Sequence, residues 1–277
     1  MVWLVGSILG LTALYLFLIA PNVFSRKART QFLGRWAYAH RGLHGEKTPE
    51  NSLAAFQLAA DRGYGIELDV RWTKDRVMVV HHDDSLLRMC GVDRKISEMT
   101  GGEVLRCQLK GSPEYVPTLD QVLDKVNGKV PLIIEMKSGP QAAKGLPEML
   151  YRRLQRYPGM YCVESFDPRM VRWFKKHATH VVRGQLAFDP HRGAYGQFRG
   201  LRYRIGAHLL MNALSRPDFV AYDYETAGNL SFRMMRAVYA PVLAAWTVRS
   251  EETFEQLKGE YAIRIFEGFE PNSVCIN

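Results

Sequence analysis

The chain has 277 residues, 47% hydrophobic and 23% charged, which is ordinary for a globular protein and the usual size of one closed α/β barrel. Its net charge of +9 calls for an anionic partner: nucleic acid, anionic lipid or a phosphate-bearing substrate. The Lys and Arg residues are scattered and form no nucleic-acid motif, which sets that partner aside, and Cys90, Cys107, Cys162 and Cys275 have neither CxxC nor metal spacing and read as reduced thiols.

Val2 to Ala20 carries no charge. An apolar run of roughly 20 residues matches the hydrocarbon thickness of a bilayer. Trp3 and Tyr15 suit its interfaces, and Pro21-Asn22 ends it. A cleaved signal peptide would carry positive charge before the run and a small-residue cleavage site after it, and neither is present. The expectation is an uncleaved transmembrane anchor over residues 1–24 and a basic juxtamembrane linker over 25–35. A barrel domain over 36–277 follows. Arg26, Lys27, Arg29 and Arg35 follow the run, so the positive-inside rule places that domain on the cytoplasmic side of the cell membrane.

From Trp36 onward, strand-like and helix-like runs alternate. Ser52 to Arg62 has helical spacing with Asn51 or Ser52 as N-cap, and Gly63 closes it. The strand Gly65–Val70 follows, then Thr73 to Arg76, then Val77–His81. A parallel crossover needs a dozen or more residues. Val77–His81 therefore pairs antiparallel with the strand before it and is not a barrel strand. Residues 84–116 have weak periodicity and read as an excursion above a site. Thr118–Val126 returns to helix with Thr118 as N-cap.

The remaining strands are Val130–Met136, Met160–Glu164, Val181–Ala187, Asp218–Tyr222, Val242–Val248 and Ala262–Phe266. The helices between and after them lie near Gln141–Arg156, Pro168–His177, Leu201–Leu214, Leu230–Val238 and Glu251–Gly259. With Trp36–Ala39 and Gly65–Val70 this makes the eight strands of a TIM (β/α)8 barrel, with a small insertion after the second strand.

Polar clusters stand at the ends of these apolar runs. Glu67 and Asp69, two apart on a strand, share a face. With Glu135 they make a hard-cation site suited to Mg2+, Ca2+ or Mn2+. Solvated strand ends are the plainer reading, but a carboxylate pair inside a buried strand does not fit it. His40 and His82, each at a strand end beside these carboxylates, read as general base and general acid. Which is which stays open. Arg41 and Lys137 add fixed positive charge for phosphate oxygens. Together these groups describe a phosphodiester site. His44, His81 and Asp84 carry weaker signals. Asp83 either orients His82 or begins a turn, and Glu50-Asn51 reads as a helix cap.

The set resembles the glycerophosphodiester phosphodiesterases. The resemblance lies in His40-Arg41-Gly42, Pro49-Glu50-Asn51-Ser52, Glu67-Leu68-Asp69-Val70 with Thr73-Lys74-Asp75, and Val79 to Asp83. It continues through Pro117-Thr118-Leu119, Glu135-Met136-Lys137, Ser165-Phe166 and Trp246-Thr247-Val248. It implies a TIM barrel with a divalent metal on Glu67, Asp69 and Glu135. It implies acid–base work by His40 and His82, and phosphate held by Arg41 and Lys137. Glu50 matches a position near metal and substrate, and Trp246 an aromatic on the glycerol side. The products would be glycerol 3-phosphate and an alcohol. At a membrane, lysophospholipids qualify as substrates. Two departures stand out. Where the family usually ends the last strand with Thr-Asp and then a Pro, this chain reads Ile265-Phe266-Glu267-Gly268-Phe269-Glu270-Pro271, and the usual Asn after Trp-Thr-Val is Arg249. The competing readings are a phosphatidylinositol phospholipase C or sphingomyelinase D-like lipase, and a catalytically silent membrane-tethered binding protein.

Overall fold

The computed structural model describes residues 2–22, 30, 32–139, 141–192, 198 and 200–272. Arg26, Lys27 and Arg29 of the basic linker, and Cys275, lie outside the described residues.

Eight parallel strands close into a barrel: β1 (Ala37–Ala39), β2 (Gly65–Trp72), β6 (Leu132–Met136), β7 (Tyr161–Ser165), β8 (Arg183–Ala187), β9 (Phe219–Asp223), β10 (Val242–Val248) and β11 (Ile263–Phe266). β1 pairs with both β11 and β2, which closes the ring. β3 (Met78–Val80) pairs antiparallel with the end of β2, Val70 opposite Val80, as the four-residue connection Thr73 to Arg76 requires. Beyond it a two-stranded hairpin, β4 (Ser85–Leu86) with β5 (Val92–Lys95), belongs to the insertion. The insertion has a small core of its own, Val79, Leu86, Ile96, Met99, Val104, Leu109 and Val116.

The helices start where side-chain caps satisfy their first N–H groups. Ser52 Oγ accepts from Ala55 N at 3.1 Å. Thr118 and Gln121 form a reciprocal capping box. Asp167 caps Pro168–His177, with proline at the first turn. The helix expected over Leu201–Leu214 is broken into Leu201–Ala207 and Asn212–Ser215. Leu209 takes a positive φ of 55° between them, and Asn212 turns its side chain to Ile19 O at 2.9 Å.

Along β6, Leu132, Ile134 and Met136 pack outward against the helices while Ile133 points into the barrel. Inside, Tyr38, Ile133, Cys162, Leu186, Phe219, Ala221, Ala244 and Ile263 form an apolar plug. Two glycines make room for its rings. A Cβ at Gly184 would stand 2.3 Å from the Phe219 ring, and one at Gly65 would stand 2.6 Å from Tyr38.

The transmembrane expectation needs correction. The apolar run does form a helix, Val2–Ile19, but among the described residues no helix is long and apolar enough to cross a membrane. The barrel takes up its C-terminal end. Tyr15 Oη bonds Ser231 Oγ at 2.5 Å, and Tyr239 Oη donates to Leu16 O at 3.0 Å. Arg216 Nη1 donates to Phe17 O and Ala20 O at 3.1 and 2.8 Å. What remains free, from Trp3 to Leu14, is about 18 Å of helix at 1.5 Å per residue, short of the roughly 30 Å hydrocarbon core. Trp3, Leu4, Ile8, Leu9, Leu11 and Leu14 on that stretch are exposed.

Candidate active site at the barrel mouth

Parallel register brings the carboxylates together. Asp69 is paired with Glu135 across β2 and β6, and Glu135 with Glu164 across β6 and β7. Glu67 lies two residues before Asp69 on the same face. Oxygens of Glu67, Asp69 and Glu135 lie within 4.8 Å of one another, and all three residues are buried. Glu164, which sequence reasoning missed, is buried beside them and has no hydrogen bond on Oε2.

Burial pushes the Glu67 carboxyl well above its usual range, and the like charges of Asp69, Glu135 and Glu164 push it further. Asp69 goes the other way. Burial opposes ionisation there, but Lys137, then Arg41, hold its carboxyl well below the usual range. Lys137 Nζ lies 2.8 Å from Asp69 Oδ1 and 2.7 Å from Glu135 Oε2. The expected phosphate ligand is thus engaged with the carboxylates. Asn51, read from sequence as part of a cap, is no cap. Its Nδ2 donates to Asp69 Oδ2 at 2.7 Å, and Ser52 caps the helix instead.

These residues fit a hard cation. The donors are all oxygen, they converge from neighbouring strands, and one of them is driven toward its neutral form by burial and by the like charge of its neighbours.

His40 and His82 both reach this mouth. His40 follows β1, and its Nε2 lies 4.0 Å from Glu67 Oε2. Its Nδ1 is hydrogen-bonded to Glu267 Oε2. Burial lowers the His40 pKa to about 4, against the raising effect of that bond, so the ring is neutral at pH 7. His82 follows β3 and is more open. Asp83 Oδ1 bonds its Nδ1 at 2.7 Å, so Asp83 orients the ring. Arg71 donates to the His82 carbonyl from Nε and Nη2 at 2.9 and 2.7 Å.

Arg41 takes a positive φ of 56° and donates its backbone N–H to Glu67 Oε2 at 3.0 Å. Its Nη1 donates to Glu50 Oε1 at 2.9 Å. Glu50 is lowered to about 2: burial opposes ionisation, and hydrogen bonds from Arg88 with the charges of Arg41 and Arg88 overcome it. Arg88 binds Glu50 at 2.6 and 2.8 Å and Asp83 at 2.6 Å, so it ties the insertion to both. Sequence reasoning missed Arg88. It lies in the weakly periodic insertion, with no motif to mark it. Trp246 stands edge-on to Phe166, ring centroids 5.7 Å apart, on the opposite arc of the barrel. His44 Nε2 lies 3.9 Å from Glu267 Oε2, while His81 is buried with its Nε2 unpartnered.

A parallel eight-stranded barrel with an acidic cluster and two histidines at the C-terminal ends of its strands has the build of a TIM-barrel enzyme. Residues 40–262 match the glycerophosphoryl diester phosphodiesterase family, and the chain belongs to that family. A Bacillus subtilis protein, provisionally named a glycerophosphodiester phosphodiesterase, is 35% identical over 229 residues, 79% of this chain and 88% of that protein. A glycerophosphodiester phosphodiesterase of Caldanaerobacter subterraneus is 34% identical over 158 residues, 53% of this chain and 65% of that one. A phosphodiesterase of Oleispira antarctica, solved with the product sn-glycerol-3-phosphate, shares the fold at a TM-score of 0.68 and 20% identity, covering 83% of this chain and 92% of that one. Membership gives the reaction class, hydrolysis of a glycerophosphodiester.

Proposed function

We propose that the barrel carries out this hydrolysis by acid–base catalysis at its mouth. The observation that carries the reading is the convergence of Glu67, Asp69 and Glu135 beside His40 and His82. In it Glu67, Asp69 and Glu135 hold a divalent cation, Mg2+ or Ca2+, with Mn2+ a further option. When bound, such an ion supplies Lewis-acid polarisation of a phosphoryl oxygen. His40, neutral at pH 7, takes the proton of the attacking water or of the glycerol 2-hydroxyl. His82 gives a proton to the departing alcohol. Arg41 and Lys137 neutralise charge growing on the phosphoryl oxygens. Glu50 holds Arg41 in place through the 2.9 Å bond. Trp246 and its neighbour Phe166 face the glycerol side with apolar surface.

The exposed apolar stretch from Trp3 to Leu14 supports membrane lipid as a partner, with the helix lying in the interface. The division into residues 1–24, 25–35 and 36–277, location at the cell membrane, and a cytoplasmic barrel belong to the same proposal. A site held there suits lysophospholipids as well as water-soluble glycerophosphodiesters.

The test is glycerol 3-phosphate release from glycerophosphocholine and lysophosphatidylcholine by the full chain with Mg2+, Ca2+, Mn2+ or EDTA. Release should need the metal and fall at least about 10²-fold in His82→Ala and in Glu67→Ala. A folded protein that releases nothing with any of the metals overturns the proposal. A cyclic phosphate as the final product marks a phospholipase C-like reaction instead.

A further inference from the structure

Arg249 and Glu267, one from each stretch that departs from the resemblance, are neighbours in space. Arg249 Nη2 lies 3.9 Å from Glu267 Oε1. The other carboxylate oxygen, Oε2, is hydrogen-bonded to Nδ1 of His40. We infer that Glu267 is the positioning residue of His40, holding its imidazole with Nδ1–H toward the carboxylate and the Nε2 lone pair toward the reacting centre, with Arg249 steadying that carboxylate. The inference rests on the proposal that His40 is the general base.

The barrel's closure delivers the contact. Ala39 is paired with Phe266 across β1 and β11, so the next residue of each strand, His40 and Glu267, emerges side by side at the mouth. Both backbones are fixed there. His40 N donates to Phe266 O at 2.9 Å, and Glu267 N donates to Val248 O at 2.9 Å. An ionised carboxylate only accepts, so the ring nitrogen it meets must be the donor. That sets the tautomer. The remaining nitrogen, Nε2, is the one directed toward Glu67 at 4.0 Å.

The same comparison separates the two histidines. His82 also has a carboxylate on Nδ1, but Asp83 gives its other oxygen to Arg88 at 2.6 Å. Glu267 has its nearest arginine at 3.9 Å. Glu267 therefore keeps more of its charge for the ring it holds. A ring that must take up a proton is favoured by such a partner, and a ring that must release one is not. The contrast matches His40 as base and His82 as acid.

The experiment measures kcat and KM for glycerophosphocholine in the full chain with the activating metal. The variants are Glu267→Ala, Glu267→Gln, Arg249→Ala, His40→Ala and the double variant His40→Ala/Glu267→Ala. Removing the carboxylate partner of a metal-ligating histidine costs about 10- to 100-fold, and a loss at least that large is expected for this histidine. Glu267→Ala should lose that much in kcat, with KM changed less than about threefold, and Glu267→Gln should lose less because its amide oxygen still accepts. Arg249→Ala should lose less than Glu267→Ala. In the double variant Glu267→Ala should add nothing to the loss from His40→Ala. Nitrogen-15 spectra should show the His40 ring as the Nδ1–H tautomer in the wild type and as a mixture in Glu267→Ala. Wild-type kcat in Glu267→Ala, with His40→Ala down at least about 10²-fold, overturns the inference and leaves the proposed function standing. Full additivity in the double variant, or an unchanged tautomer, overturns it too. Activity retained in His40→Ala overturns the base assignment itself. Glu267→Gln, close to the native side chain in shape, keeps the test decisive where Glu267→Ala fails to fold.

Discussion

The barrel interior has two floors, and they differ by one step of strand periodicity. On β6, Ile133 points inward into the apolar plug, and two residues on, Glu135 points the same way into the acidic cluster. On β7 the same step leads from Cys162 to Glu164. The lower floor is rings and methyls closed on themselves, with Phe219 against Gly184 and Tyr38 against Gly65. The upper floor carries the buried carboxylates Glu67, Asp69, Glu135 and Glu164, answered by Lys137 and Arg41. Burial stabilises the first and strains the second, since buried charge costs free energy unless it is paired. The fold therefore depends on the lower floor and the proposed chemistry on the upper one, and the two can be separated by substitution.

The widest separation comes from Phe219→Ala set against Glu67→Gln. Removing a buried Phe typically costs about 3–5 kcal/mol. Phe219→Ala should lower the thermal midpoint sharply while the folded fraction keeps its kcat. Glu67→Gln removes a carboxyl already pushed toward its neutral form by burial and like charge. The metal-free protein should therefore keep or gain stability while activity falls by about 10²-fold or more. Denaturation curves with active-site titration check both. Phe219→Ala that abolishes kcat in folded protein, or Glu67→Gln that unfolds, breaks the comparison.

Acid is a smaller lever on the upper floor. Burial holds His81 at about 4 against an ordinary 6.5. Its unfolded form takes up a proton first as pH falls. The stability it contributes is therefore complete above about pH 6.5 and is lost as pH falls through 4, about 3 kcal/mol in all. His40 behaves alike and adds to the same window. Glu50, held near 2 mainly by Arg88 despite its burial, gives a second loss between about pH 4.5 and 2. The thermal midpoint of metal-free protein followed from pH 8 to 3 should fall in both windows. His81→Leu should flatten part of the upper one. Glu67 and Glu164, raised by burial and like charge, add stability as pH falls and offset part of the drop. The deciding reading is therefore the difference between wild type and His81→Leu: parallel profiles sink the assignment.

Much of this was legible in the sequence, and the limits have physical causes. The strand count, the antiparallel hairpin after β2 and the carboxylate trio follow from periodicity and from the length of one connection, all local quantities. The contacts that went unread are non-local. His40 and Glu267 meet only because β1 and β11 close the ring. Arg88 reaches Glu50 and Asp83 from an insertion whose path no pattern specifies. The N-terminal helix reads as a free apolar rod. Its last turns dock because Asn212, Arg216 and Tyr239, far along the chain, supply donors for its terminal carbonyls. The broken helix after β8 belongs to the same docking, since Asn212 lies at its second start.

The smallest effect tests the lower floor at its tightest point. Gly184 is paired with Phe219 across β8 and β9, and a Cβ there would stand 2.3 Å from the ring. Neither residue can yield easily, because the ring is fully buried among Ile133, Cys162, Ala221 and Ala244. Gly184→Ala should therefore cost about 1–3 kcal/mol by overpacking, against the gain alanine otherwise brings by restricting the unfolded chain. Pairing it with Phe219→Leu, which shortens the side chain facing the new methyl, should recover part of the loss. A double-mutant cycle of thermal midpoints reads the coupling. Simple additivity would mean that the plug is loose enough to move, and with it the rigid base beneath the carboxylates.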